Sequence, residues 1–145
     1  MTIEELDLQP DVEEKARELQ RMVPGVVFTS GRRTLQQQAA AMAHNIVVSG
    51  NRRWIVHTYA ASIAITLLQG WVNHHPGANE QELESGLLTI FEKLSPIQRA
   101  SMSRHLTGRA LDILPETCTV EEIEKTSPRK ILTHEGELAR LHVEW

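Results

Sequence analysis

The decamer "SRHLTGRALD", residues 103–112, is where the chain changes character, and its reading decides how the rest is assembled. Upstream, from about residue 34 to 102, the composition and spacing are helical; downstream the runs are short and strand-like, beginning with "RALDIL" at 109–114. His105 and Asp112 lie seven apart, an odd separation that would send them to opposite faces of one straight strand. A turn at Gly108 lets His105 sit on the loop entering the strand while Asp112 projects from the strand itself.

Working outward, "QPDVEEKARELQRM" (9–22) has apolar residues at helical spacing, with Asp11 as N-cap and Glu14 three residues later. Pro24 and Gly25 end that helix, and "VVFTS" (26–30) reads as a short buried strand. Two helices in a hairpin follow: "TLQQQAAAMAHNIVV" (34–48) and, after the Ser49-Gly50 break, "NRRWIVHTYAASIAITLLQGWVNHH" (51–75). Asn79 and Glu82 have capping-box spacing for a further helix, and Ser95-Pro96 opens a short one. Beyond the decamer, "TVEEIEK" (119–125) is a short helix capped by Thr119 and Glu122, and "ELARLHVEW" (137–145) a final strand. The expectation is an α+β fold in a single domain, 1–145. A small antiparallel sheet carries the site, with a helical section, about 34–102, inserted after the first strand.

Composition narrows the function classes. The chain has 145 residues, 41% apolar and 23% charged, the proportions of a soluble globular domain. Its longest apolar stretch, "YAASIAITLLQGW" (59–71), is too short for a bilayer span, and the acidic start "MTIEELDLQP" lacks the features of a secretory signal. Synthesis in the cytosol is therefore expected. A single cysteine, Cys118, excludes a disulfide framework and any zinc site of paired thiolates. The formal net charge of −4, with basic clusters no larger than the arginine pairs of "GRRT" and "NRRW", argues against a nucleic-acid partner. Oligomeric state is not legible.

A metal would have to be held by His and carboxylate. To His105 and Asp112 the final strand adds His142 as the best third candidate, and two imidazoles with one carboxylate make a catalytic zinc set. The same spacing also fits a turn histidine beside a strand-capping aspartate.

Three segments carry a resemblance: "TSGRRT" (29–34), "SRHLTGRALDI" (103–113) and "LHVEW" (141–145). In that order they resemble the signatures of the zinc D-alanyl-D-alanine peptidases, the carboxypeptidase and endolysin relatives of the lysostaphin and hedgehog fold. The central pattern, Ser-x-His-x-x-Gly-x-Ala-x-Asp, is matched at every fixed position. Most of the chain, including "QQQAAAMAHN" and "LLQGWVNHHPGA", looks like the small peptidase-like proteins of phages and prophages. The resemblance implies Zn2+ held by His105, Asp112 and His142. It implies an Arg33 that grips a substrate carboxylate or developing oxyanion, a Ser103 that supports the ligand loop, and hydrolysis of a peptidoglycan stem peptide. A holin-type pore or a virion would carry such a protein to the wall. Relatives place an acid three residues before the last His, or a His two before it; here those places hold Ala139 and Arg140. The base is therefore expected from Glu137, or else Glu135, brought in by a bend at Gly136. The departure leaves a second reading, a catalytically weak peptidase-like phage structural or wall-binding protein.

Other residues take plainer readings. His74 and His75 suit a helix C-terminus, His44 and His57 the helix surface, and Trp54, Tyr59 and Trp71 the helical core rather than a sugar-stacking platform. His134 is a candidate to line the cleft. Trp145 is expected to tie down the end of the last strand, Glu144 to support His142, and Cys118 to be inert.

Overall fold

The computed structural model describes residues 1–136 and 138–145. Its helices and strands run in the order α1 (Pro10–Met22), β1 (Phe28–Ser30), α2 (Leu35–Ser49), α3 (Trp54–Thr58), α4 (Ile63–His74), α5 (Glu80–Lys93), α6 (Pro96–Met102), β2 (Ala110–Ile113), α7 (Val120–Glu124), β3 (Lys130–Glu135) and β4 (Leu138–Glu144). The fold is α+β, with a four-stranded antiparallel sheet in the order β1-β2-β4-β3 and the helices α2 to α6 inserted after its first strand. The chain divides into two compact units: Met1–Arg33 with Thr107–Glu135 and Ala139–Trp145, and Thr34–Leu106 with Gly136–Leu138.

In the sheet unit, α1 presents Val12, Ala16 and Leu19 to a core shared with Phe28, Leu111, Ile113, Ile123 and Val143. Removing these side chains from water is the main force holding helix to sheet. The expected Asp11 cap gives way to Gln9, with Pro10 as the first helical residue. Proline's fixed φ and missing N–H suit that position, and Asp11 instead accepts a hydrogen bond from Arg109 Nη1 at 3.0 Å. The first strand is shorter than "VVFTS", and β3 had no counterpart in the sequence reading because none of its residues is buried and exposed and half-buried positions do not alternate.

The helical unit packs around Met42, Ile46, Trp54, Leu68, Leu83, Leu87 and Phe91. Capping boxes start α2 at Thr34 with Gln37, α5 at Asn79 with Glu82, and α6 at Ser95 with Gln98. The stretch 51–75 is two helices rather than one: Tyr59 turns extended, and Ser62 caps α4 by accepting from Ile65 N. Among the described residues no helix is long and apolar enough to cross a membrane.

Candidate metal centre

Antiparallel pairing does most of the work of building the site. Asp112 on β2 lies directly opposite His142 on β4, and Ser30 on β1 lies opposite Asp112 on the other side. Directly paired residues point to the same sheet face with their Cβ atoms about 5 Å apart. The register therefore brings Asp112 and His142 together although they are thirty residues apart.

His105 arrives by a different route. Ser103 ends α6, and a 3-10 turn, Arg104–Thr107, carries a His105 that is only 2% exposed. Gly108 then turns the chain into β2 with φ of +72°, a left-handed conformation costly for any residue with a Cβ. Its carbonyl is held by Gln9 N at 3.0 Å. His105, Asp112 and His142 are all buried, and each offers a ligand atom within 4.8 Å of those of the other two. That is close enough for the three to bind one metal ion.

No known family profile, curated protein or solved structure matches this chain. The site has to be read from its own chemistry.

Asp112 is gripped from two sides. Arg33 Nη2 donates to its Oδ2 at 2.7 Å, while its Oδ1 lies 3.0 Å from His142 Nδ1. Arg33 is itself oriented by Nε donating to Ser30 Oγ at 3.0 Å. The guanidinium expected to meet substrate thus also holds the Asp112 carboxylate. A planar fork suits such a two-acceptor contact better than a lysine would.

His142 faces three carboxylates: Asp112 Oδ1 at 3.0 Å from Nδ1, Glu144 Oε1 at 3.1 Å from Nε2, and Glu135 Oε1 at 3.9 Å from Nδ1. Burial disfavours the imidazolium, but the bonds to Asp112 and Glu144 and the Glu135 charge outweigh it, pushing the group up to about 9. The imidazole is therefore held cationic at neutral pH by its carboxylate neighbours.

Glu135 ends β3, next to β4 in the sheet, and Gly136 turns directly after it with φ of +61°. Glu137 lies outside the described residues. Ser103 is buried, and its Oγ donates to Gln38 Oε1 at 3.5 Å; Gln38 Nε2 in turn donates to Tyr59 Oη at 3.2 Å. Gln38 escaped the sequence reading, although its spacing to Met42 and Asn45 puts all three on the buried side of α2.

The remaining expectations mostly hold. Trp54 is fully buried in the helical core. Trp145 Nε1 donates to Thr126 Oγ1 at 2.9 Å and so anchors the chain end, and Glu144 is buried against His142. Burial, with Glu122 nearby, pushes the Cys118 thiol up to about 11, leaving it protonated and unreactive. His57, His74 and His75 are exposed and bonded to near neighbours in sequence, His44 is exposed with its Nδ1 3.1 Å from Glu80 Oε1 on α5, and His134 is exposed with its Nδ1 3.1 Å from Thr133 Oγ1. Tyr59 and Trp71 pack partly buried against that core, and Trp71 also borders a groove.

Proposed function

We propose that this protein is a zinc metallopeptidase that hydrolyses a peptide bond in the stem peptides of bacterial peptidoglycan, as a D-alanyl-D-alanine carboxypeptidase or an endolysin-type endopeptidase. The observation that carries the reading is the convergence of buried His105, Asp112 and His142, a donor set suited to zinc. The substrate class comes from the resemblance of the segments at 29–34, 103–113 and 141–145 to that peptidase family.

In this reading His105, Asp112 and His142 hold the ion. Zinc there would supply Lewis acidity, polarising a carbonyl and acidifying water. Arg33 orients Asp112 through one edge of its guanidinium and leaves a fixed positive charge beside the reacting carbonyl, where negative charge develops. Glu135 takes the proton of the attacking water as the new C–O bond forms, then delivers it to the leaving amine as the C–N bond breaks. Glu144 keeps the His142 ring in place.

Metal analysis of the purified protein, with His105→Ala alongside, tests the centre: about one equivalent of zinc is expected in the wild type and far less in the variant. Purified cell walls test the reaction through release of D-alanine or new amino termini. A zinc-loaded protein that sediments with walls and never cuts them would favour the second reading, a wall-binding relative, for which Ala139 and Arg140 at the usual base positions are the specific sign.

A further inference from the structure

Outside the metal centre, the helical unit carries a groove of about 730 Å3 between the end of α4 and one face of α5. That size falls within the range of small-molecule sites, about 300–1,000 Å3. One wall is a rigid aromatic pair: the Trp71 indole and the His75 imidazole stack with centroids 3.9 Å apart and planes 12° from parallel. His75 is held from both ends, its Nδ1 donating to Trp71 O at 2.7 Å and its own carbonyl accepting from Arg52 Nη2 at 2.6 Å. On α5, Gly86 is buried, and a Cβ there would overlap the benzo ring of Trp71. A glycine at 86 is what lets the indole lie against the helix.

The opposite wall is polar, with amide and hydroxyl groups beside one carboxylate, Glu82. Gln81, Ser85 and Thr89 recur every four residues and form one stripe along α5, about 12 Å from first to last. Among the described residues the side chains of Gln81 and Ser85 and the indole N–H of Trp71 make no hydrogen bond, and Thr89 Oγ1 donates to Ser85 O while keeping its lone pairs. The charged side chain in the groove is Glu82, with Glu80 and Glu84 on the same helix, which opposes phosphates and other anions.

We propose that this groove binds a neutral oligosaccharide. Sugar rings have an apolar C–H face that packs on aromatic surface and equatorial hydroxyls that need amide and hydroxyl partners; the groove offers the exposed His75 ring, backed by the Trp71 indole, and the amide and hydroxyl groups of Gln81, Ser85 and Thr89. The choice of an amino-sugar glycan, the polymer that carries peptidoglycan stems, rests on the peptidase reading; the preference for a neutral sugar does not.

The test is an NMR titration of the full chain with chitotetraose, following the Trp71 indole resonance and the backbone amides of Gly86 and Thr89, which every variant keeps. Saturable shifts are expected, with Trp71→Ala and the Gln81→Ala/Ser85→Ala pair each weakening binding at least about tenfold. The pair lies on exposed helix positions, so it keeps the question open if Trp71→Ala does not fold. No shift at about 10 mM chitotetraose or maltotetraose, a range in which even millimolar binding registers, would overturn the proposal. Saturation by choline in place of either sugar would overturn it too. Zinc titration of the same sample separates the readings: sugar binding without zinc binding sinks the peptidase and leaves the groove standing.

Discussion

Zinc binding should be strongly pH-dependent, because it must displace a proton from His142. Both nitrogens of that ring face carboxylates at 3.0 and 3.1 Å, and the group sits at about 9. At pH 7 removing the proton costs about 3 kcal/mol, the two units between 7 and 9 converted at about 1.4 kcal/mol each. Apparent affinity should rise about tenfold per pH unit while the pH stays below the pKa, hence about 30-fold from pH 7.0 to 8.5. Competition against a chelating dye at constant ionic strength measures this. Calorimetry in two buffers of different ionisation enthalpy counts the protons released, with about one from His142 expected at pH 7. Glu144→Gln removes one stabilising partner, lowers the His142 pKa and flattens the profile. An affinity unchanged between pH 7.0 and 8.5, with no proton released, would refute the reasoning.

The same group links pH to the stability of the protein without metal. A pKa raised from 6.5 to about 9 contributes stability that is full below about 6.5 and lost as pH rises through 9, so urea unfolding should show up to about 3 kcal/mol less stability at pH 9.5 than at 6.5. Arg33→Ala leaves Asp112 buried without its guanidinium and should cost about 3 kcal/mol; Arg33→Lys, which keeps the charge but not the fork, should cost less, both read by denaturant melts. Gly108→Ala imposes a Cβ at φ of +72° with Asp7 O 3.0 Å away; a loss of about 2 kcal/mol and weaker zinc binding are expected from melts and dye competition. Glu135→Gln should retain zinc by metal analysis yet slow wall hydrolysis at least about 100-fold, and full activity in that variant would remove Glu135 from the mechanism.

Local chemistry was legible in the sequence wherever a residue acts on its immediate neighbours. Capping residues at Asn79, Ser95 and Thr119 announce their helices because the side chain satisfies an amide three residues on. Gly108 announces its turn, since few other residues adopt that φ, and the 103–112 decamer with His142 pointed to the three residues that converge. What the tertiary structure alone decided are relations across the chain. The register that sets Asp112 opposite His142 depends on which strands pair, and β3, which delivers Glu135, is an exposed edge whose pattern carries no strand signal. Arg33 reads as a substrate residue from its motif, yet its hold on Asp112 emerges only when strands distant in sequence lie side by side. Periodicity put Trp71 on the core side of α4, but how far a rim residue is covered depends on its neighbours, and there Gly86 leaves a groove. Spacing in sequence reports the faces of single elements, while burial and long-range contact follow from how those elements pack.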